Sequence, residues 1–571
     1  MKLNKHILGI ACLAALTGCA DKMDYREYTN YDAEYVKKTF GDVGGLVADI
    51  YLGLDVDYGN FSGAVLGAAS DEAEYAYTGN QIEDFYNGAW SPTNAKSSVW
   101  TSSYSNIAKC NRYLTEFVGL TFPDLELLPD YRQEMNRYNN YQFEVRFLRA
   151  YFYFNLVRQY GDVPFVQEGM SVDEINTLSR TPAQEVFSYI IDECDAIKND
   201  IIADYGALGD MVLPGESAET GRVNNLAVLA LKARTALYAA SPLFNTNNDA
   251  TLWERAAQAN KELLDACAAR KMKLVDNYGS LWVAKAHEVA QSELIFGRRA
   301  NATSNSFEKN NFPIGNENCK GGNCPTQTLV DAYEMQATGL RPDQEGSGFD
   351  ANNPYVGRDP RFALTIAYNG DTWPLWNTDT PLQTYQGGIN AEPLSGGTPT
   401  GYYLKKYCQG SLITATSGEQ KDNHTWITFR LAEFYLNYAE AVYRHLGSPY
   451  QTTEEFPMSA VEAINVVRQR VGMPTFPTTL SEDEFWAKYQ NERMVELAFE
   501  GHRFWDVRRW KEGAKFFTGI DEMKITLNQA DGSYTYTRKH VSREWDEKMN
   551  LFPIPQSERS KNPNLSQNPG W

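Results

Sequence analysis

The chain has 571 residues and a mass of 64.5 kDa, with 53 basic against 73 acidic side chains and 43% hydrophobic residues. An aromatic share of 13% and the lack of a short dominant period exclude low-complexity disorder and collagen. A net charge of −20 and a pI near 4.9 argue against a nucleic-acid partner, whose phosphates the chain would repel.

At the N-terminus, Lys2 and Lys5 precede an apolar run from Ile7 to Leu16. The run is short of the ~20 residues that span a bilayer and fits a secretory signal. It ends in Leu16-Thr17-Gly18-Cys19, which looks like a bacterial lipobox: small residues before the cysteine admit a signal peptidase, and the thiol accepts the lipid. Residues 1–18 are therefore read as a lipoprotein signal peptide and Cys19 as the lipidation site, anchored by acyl chains in one leaflet. A plain signal peptide with an incidental cysteine is the alternative. No later stretch reads as a transmembrane segment.

Helical patterns then dominate. Residues 142–159 are apolar nearly all round (Phe147, Leu148, Tyr151, Phe152, Phe154, Leu156), as a helix covered on two sides would be. Residues 224–240 and 425–445 are also long and free of Pro and Gly; in the latter, Ile427, Leu431, Phe434, Tyr438 and Val442 recur at helical steps. Each is followed by a break with a proline (Pro164, Pro242, Pro449) and a second helix near 182–202, 253–268 and 459–471. Ala150, Ala233 and Ala432 fall at equivalent small positions, with Phe154, Leu237 and Leu436 four residues later. That resembles tetratricopeptide logic, but the irregular spacing makes it a degenerate array of helical hairpins with insertions. Residues 301–421 hold no long helix and are dense in Gly, Pro, Asn and Thr. Residues 524–528 and 534–539 flank Asp531-Gly532 as a β-hairpin, and the proline-punctuated tail from Pro553 to Trp571 reads as non-helical.

Cys110, Cys194 and Cys267 lie in helical patterns, where a buried thiol is the plain reading. Cys319 and Cys324 bracket a short arc whose two glycines let the Cα atoms approach the ~4.4–6.8 Å a disulfide needs. An exported protein favours that bridge; zinc lacks a second cysteine pair or nearby histidine.

The sequence has no His-Glu-x-x-His, Gly-x-Ser-x-Gly, phosphate-cradling loop or Cys-x-x-Cys, so no catalytic residue, cofactor or metal is assigned. His502 lies in 492–506, read as a helix with i,i+3 pairs Arg493–Glu496 and Glu500–Arg503 and a structural role. Asp71-Glu72 is too common a pairing for glycoside hydrolysis, and Asp55-Val56-Asp57 lacks the remaining ligands of a calcium loop. Aromatic residues outside helical periodicity stand out more: Tyr75, Tyr77, Phe85, Tyr86 and Trp90, then Trp373 and Trp376, then Tyr402 and Tyr403. Aromatic faces beside Asn and Asp suit sugars. Covering ~100 Å² of a sugar face is worth about 2.5 kcal/mol, less association costs. The alternative is that each aromatic packs a loop onto the body.

The lipobox, the hairpins, Asn491-Glu492-Arg493 through Gly501-His502-Arg503-Phe504-Trp505-Asp506-Val507-Arg508-Arg509-Trp510, and the tail from Pro553-Ile554-Pro555 through Asn568-Pro569-Gly570-Trp571 resemble the SusD/RagB outer-membrane lipoproteins of Bacteroidetes. Pro325-Thr326-Gln327, the run from Leu329 to Met335, and Arg358-Asp359-Pro360-Arg361-Phe362 match that pattern too. Trp571 replaces the more usual terminal Tyr.

The resemblance implies a mainly α fold of four degenerate tetratricopeptide-like helical hairpins with an irregular, loop-rich lobe and a small β-hairpin. One body over 19–571 then has its scaffold at about 28–300 and 422–515, its ligand-facing lobe at about 301–421, and its hairpin and tail at 516–571. It also implies an oligosaccharide ligand bound without chemistry and a SusC-like TonB-dependent β-barrel as partner. The anchor would lie in the outer membrane, facing outward, with Asp21 and Asp24 in the acidic stretch associated with surface export. The ligand face resembles the segment around Tyr58–Trp90 plus the loop before Pro325. The binding candidates are Tyr58, Asp71, Tyr86, Trp90, Asn316, Cys319, Cys324, Trp373, Trp376 and Tyr402, with the Cys319–Cys324 bridge stiffening a ligand loop. Three rival readings are a peptide-capturing RagB-type protein, an α-helical glycoside hydrolase or lyase, and a pure scaffold.

Overall fold

The structure, a computed structural model, describes residues 32–58, 60–214, 221–299, 302–376 and 379–571. The signal segment, Cys19, Asp21 and Asp24 lie outside them. The longer helices are α1 (Phe40–Tyr51), α2 (Ser98–Glu116), α3 (Tyr131–Tyr160), α4 (Ala183–Ile197), α5 (Asn225–Ala240), α6 (Ala250–Ala269), α7 (Leu431–Leu446), α8 (Ala460–Arg470), α9 (Glu482–Glu496) and α10 (Arg503–Arg509). Among the described residues the strands pair in antiparallel ribbons: β1 (Ala73–Tyr75) with β3 (Asn323–Pro325), β2 (Leu294–Arg299) with β6 (Thr425–Arg430), β4 (Ile366–Ala367) with β5 (Tyr403–Leu404), and β7 (Gly519–Leu527) with β8 (Tyr534–Ser542).

From α2 to α8 each helix packs on the next, so α3/α4, α5/α6 and α7/α8 form the three hairpins that the sequence spacing predicts. The second half of α3 is buried all round because α2, α4 and α5 each cover part of it. Ala150, Ala233 and Ala432 have no exposed surface, consistent with small side chains where helices approach closely. Local signals set the ends. Asn224 caps α5, Ser459 and Glu462 form a capping box on α8, and Gly447 at φ 73° ends α7.

Three expectations change. Residues 425–430 are strand rather than the first turns of a helix, because Thr, Trp, Ile, Thr and Phe in succession suit a pleated ribbon. The tail contains a helix, Gln556–Lys561, and is tied down beyond it by Arg180, which donates to the Ser566 carbonyl at 3.1 Å and the Asn568 side chain at 2.5 Å. Residues 492–506 are not one helix: the chain leaves α9 after Glu496 and turns through Phe499 (φ 60°) and Gly501 (φ 76°) before α10. The i,i+3 ion pairs expected there do not form. Arg493 instead reaches Asp506 at 2.6 Å, Glu500 pairs with Lys406 and Arg430, and Arg503 grips Asp71.

These long-range pairs belong to a buried charge network. The Glu496 carboxylate accepts from Arg361 at 2.8 Å, Arg430 at 2.6 Å and Arg470 at 2.6 Å, with none of these side chains more than 3% exposed. Glu492 joins Arg361 to Arg468, and Glu293 joins Arg430 to Arg470. A second knot centres on Glu440, which takes both Arg509 bonds, the Trp510 indole N–H and the Tyr489 hydroxyl. Breaking one partner of such a buried set costs ~3–5 kcal/mol, because it strands a charge away from water.

Trp90 is part of the core, not of a binding face. It is 3% exposed and packs edge-on against Phe85 (4.7 Å), Phe552 (4.6 Å) and Trp571 (5.0 Å). The Trp571 indole in turn donates to the carbonyls of Lys548 and Leu551, both at 2.9 Å. Trp90→Ala should therefore lower stability by about 3–5 kcal/mol, read as a shift of the urea midpoint; a change under about 1 kcal/mol would contradict the packing.

Acid should act through the charge knots. Burial alone would raise the carboxyl of Glu440, but the Arg509 charge outweighs it and holds it at about 2. Glu496 is held well below the ordinary range in the same way, by Arg470, Arg430 and Arg361 against its own burial. An unfolded glutamate titrates near ~4.3, so both groups contribute stability above that pH and lose it as the pH falls toward ~2. Through these two groups the urea midpoint should fall steeply below about pH 4.5, with a shallower fall in Glu440→Gln.

Candidate functional site

Two ribbons build the site. The register of β1 on β3, Ala73 opposite Pro325 and Tyr75 opposite Asn323, brings the segment around residues 58–75 against the loop before Pro325. The β2–β6 pair, anchored at its far end by Arg430 in the charge network, presents Trp426. Between them lies an outer cleft of about 580 Å³.

One wall of the cleft is aromatic. The His424 ring stacks on Trp426 at 5.3 Å and 8°, and Phe307 meets Trp426 edge-on at 5.3 Å. Tyr58 closes the wall from the other side at 5.7 Å and 80°. His424 is fixed by a 2.9 Å contact of its Nε2 with Glu308. The facing surface is polar. The Asn60 side chain donates to Asp57 at 2.9 Å and accepts the Gly63 N–H at 2.8 Å. Asn310 donates to the Gly63 carbonyl at 2.7 Å and accepts the Tyr75 hydroxyl at 3.0 Å, while Asn318 donates to the Thr414 carbonyl at 3.0 Å. Asn60 is thus held within its own loop, and Asn310 and Asn318 by segments packed against theirs, leaving their remaining donor or acceptor capacity for a ligand.

A second, inner cavity of about 390 Å³ shares Val56, Asp57, Asn60 and Trp426 with the cleft. Its walls come from α3 (Tyr151, Arg158), α5 (Arg234, Tyr238) and the turn at Glu500–His502. Burial, with Arg234, Arg493, Arg430 and Arg158 nearby, pushes the His502 imidazole well below its ordinary range, so it is neutral at physiological pH. Burial also raises the Asp57 carboxyl.

Of the sequence candidates, Tyr58 lines the inner cavity, and its hydroxyl accepts the Ile427 N–H at 3.1 Å. The others are placed elsewhere or sealed. Asp71 is buried and accepts two bonds from Arg503, at 2.9 and 2.7 Å. Tyr86 lies under the Arg543 guanidinium, 4.1 Å from its ring centre. Asn316 is buried and donates to the Pro313 carbonyl at 3.0 Å. Tyr402 is 1% exposed and donates its hydroxyl to Gln327. Trp373 is buried in a separate cluster with Phe312, Tyr403 and Cys408, and Trp376 is half-buried against it. These rings form no common arc with Trp90, since each packs its own loop.

The expected Cys319–Cys324 bridge is absent. Both thiols are free: Cys319 Sγ lies 3.1 Å from the Thr414 hydroxyl, and Cys324 Sγ points back to the Gly321 carbonyl at 3.3 Å. The ribbon pairs Cys324 with Glu74 and buries its side chain within the cluster, while Cys319 packs on the edge of that cluster and turns its thiol to Thr414.

Sequence reading missed Trp426, Phe307 and His424. The alternating Thr425-Trp426-Ile427-Thr428-Phe429 is the signal that would have found the ribbon and so the wall.

Comparison with known proteins adds the context. Residues 292–571 match the model described as the SusD family, and residues 32–237 match one described as starch-binding associating with outer membrane. The chain is 23% identical to SusD-like protein P2 of Formosa agariphila over 98% of both chains. It is 25% identical to the starch-binding protein SusD of Bacteroides thetaiotaomicron, over 88% of this chain and 84% of that one. Among solved structures, a SusD-like protein from Bacteroides fragilis superposes with a TM-score of 0.76 at 26% identity, covering 95% of this chain and 99% of that one. With both halves of the described chain matched and the whole fold shared, the protein belongs to the SusD/RagB family.

Proposed function

We propose that this protein is a cell-surface glycan-binding lipoprotein of the outer membrane. It captures oligosaccharides without transforming them and delivers them to a SusC-like TonB-dependent β-barrel. The observation that carries the reading is the outer cleft: the half-buried Phe307 ring, backed by the largely buried Trp426 and His424, faces amides held in place by hydrogen bonds to the surrounding loops. A sugar offers the matching surface, an apolar C–H face ringed by hydroxyls. Family membership supports it, as do the starch binding named for the Bacteroides thetaiotaomicron relative and the outer-membrane association in the matched description. The lipobox at Cys19 supplies the anchor on this reading. One stacked sugar is worth about 2.5 kcal/mol before association costs, so affinity should be modest and grow with the number of rings engaged.

A calorimetric screen of the mature protein against a panel of oligosaccharides and peptides tests the assignment. We expect binding to at least one glycan series, weakened about five- to thirtyfold in Phe307→Ala, which removes a half-buried ring worth ~1–2 kcal/mol. Undiminished binding in that variant would remove the aromatic wall from the site. Peptide binding with no glycan binding would replace the ligand class, and release of new sugar ends from a polysaccharide would make the protein an enzyme.

A further inference from the structure

The inner cavity holds more unused hydrogen-bonding capacity than a buried space ordinarily does. Tyr238 is only 3% exposed, yet its hydroxyl lines the cavity and meets no partner among the described residues. The half-buried His502 and Thr428 also line the cavity, and their side chains meet no hydrogen-bond partner among the described residues. Arg158 stacks on Trp505 at 4.6 Å and donates to Asn155 at 2.8 Å, but no carboxylate lies within ion-pair distance among the described residues, and its Nε is buried without an acceptor. Buried polar groups left unmatched by protein are costly unless water or a ligand satisfies them. A guanidinium, a hydroxyl, a neutral imidazole and an aromatic floor together match the edge and face of one sugar ring.

The cavity is also closed toward the body. Its inner side is made by Gln159, Arg234, Tyr238, Glu500 and Phe552, none more than 8% exposed, so a chain entering from the cleft has no path further into the body. Its volume of about 390 Å³ sits at the small end of the ~300–1,000 Å³ typical of ligand pockets. Trp426 is the wall common to both spaces, giving a chain in the cleft a continuous surface into the cavity.

Resting on the glycan reading above, we propose that the inner cavity takes the terminal sugar of an oligosaccharide whose body lies in the outer cleft. The protein then selects chain ends over chain interiors.

The test uses the mature protein and linear hexaoses of the malto, laminari, cello, xylo and manno series in calorimetry. Each binder is retested with its reducing end conjugated to 2-aminobenzamide and, separately, with its non-reducing end closed as a cyclic acetal. One of the two blocked forms should bind about tenfold or more weakly while the other keeps the parent affinity. Ser102→Trp, at an exposed position on the rim of the cavity, should reduce the unblocked chain to the level of the blocked one. Tyr238→Phe removes only an unbonded hydroxyl and should weaken binding about three- to tenfold without altering the urea midpoint. If both blocked forms bind like the parent, or Ser102→Trp binds like the wild type, chain-end selection is wrong while the glycan reading stands. If no hexaose binds, both fall together.

Discussion

The carboxylate of Glu496 lies out of reach of water between the guanidinium groups of Arg361, Arg430 and Arg470. Those arginines come from the irregular region, from the junction of β6 with α7, and from the end of α8. A charge this deeply buried is tolerable only if every partner is present. The network therefore permits one relative placement of lobe, ribbon and helical hairpins, and the position of Trp426 follows from it, four residues before Arg430. Specificity of arrangement, more than net stability, is what such a set contributes, since a well-packed apolar replacement would stabilise as much.

The cleft inherits this rigidity and adds its own. Its parts arrive from three distant stretches, around Asn60, Asn310 and His424, and are held by one another. Amides committed to neighbouring backbone and a histidine committed to Glu308 lose little freedom on binding, which lowers the cost of recognising a flexible, weakly adhering chain.

The scaffold was legible in the sequence because burial on two sides leaves a mark along the helix itself: the all-round apolar run from Phe147 to Leu156 predicts α3, and the proline after the first helix of each hairpin marks its turn. The site was far less legible. Trp90, Trp373 and Tyr402 sit among Gly, Asn and Ser, so they read as loop aromatics available to a ligand. What buries them is remote: Phe552 and Trp571 for Trp90, Phe312 for Trp373, Gln327 for Tyr402. Trp426 was hidden for the opposite reason, because a strand running straight into α7 places Ile427 and Leu431 four residues apart and mimics a helical face. The charges of 492–506 misled similarly, since local spacing suggested pairs that the turn at Phe499 and Gly501 prevents.

The packing of Trp90 has a consequence for the order in which this chain acquires its structure. The ring is synthesised well before Phe552 and Trp571, which follow it in the chain by several hundred residues; Asp71 waits in the same way for Arg503. An incomplete chain therefore lacks the groups that seal its N-terminal half, and contacts of such long separation close slowly even when the chain is whole. That delay keeps the polypeptide pliable until these distant segments are available, and ties completion of the core to the arrival of residues 552–571.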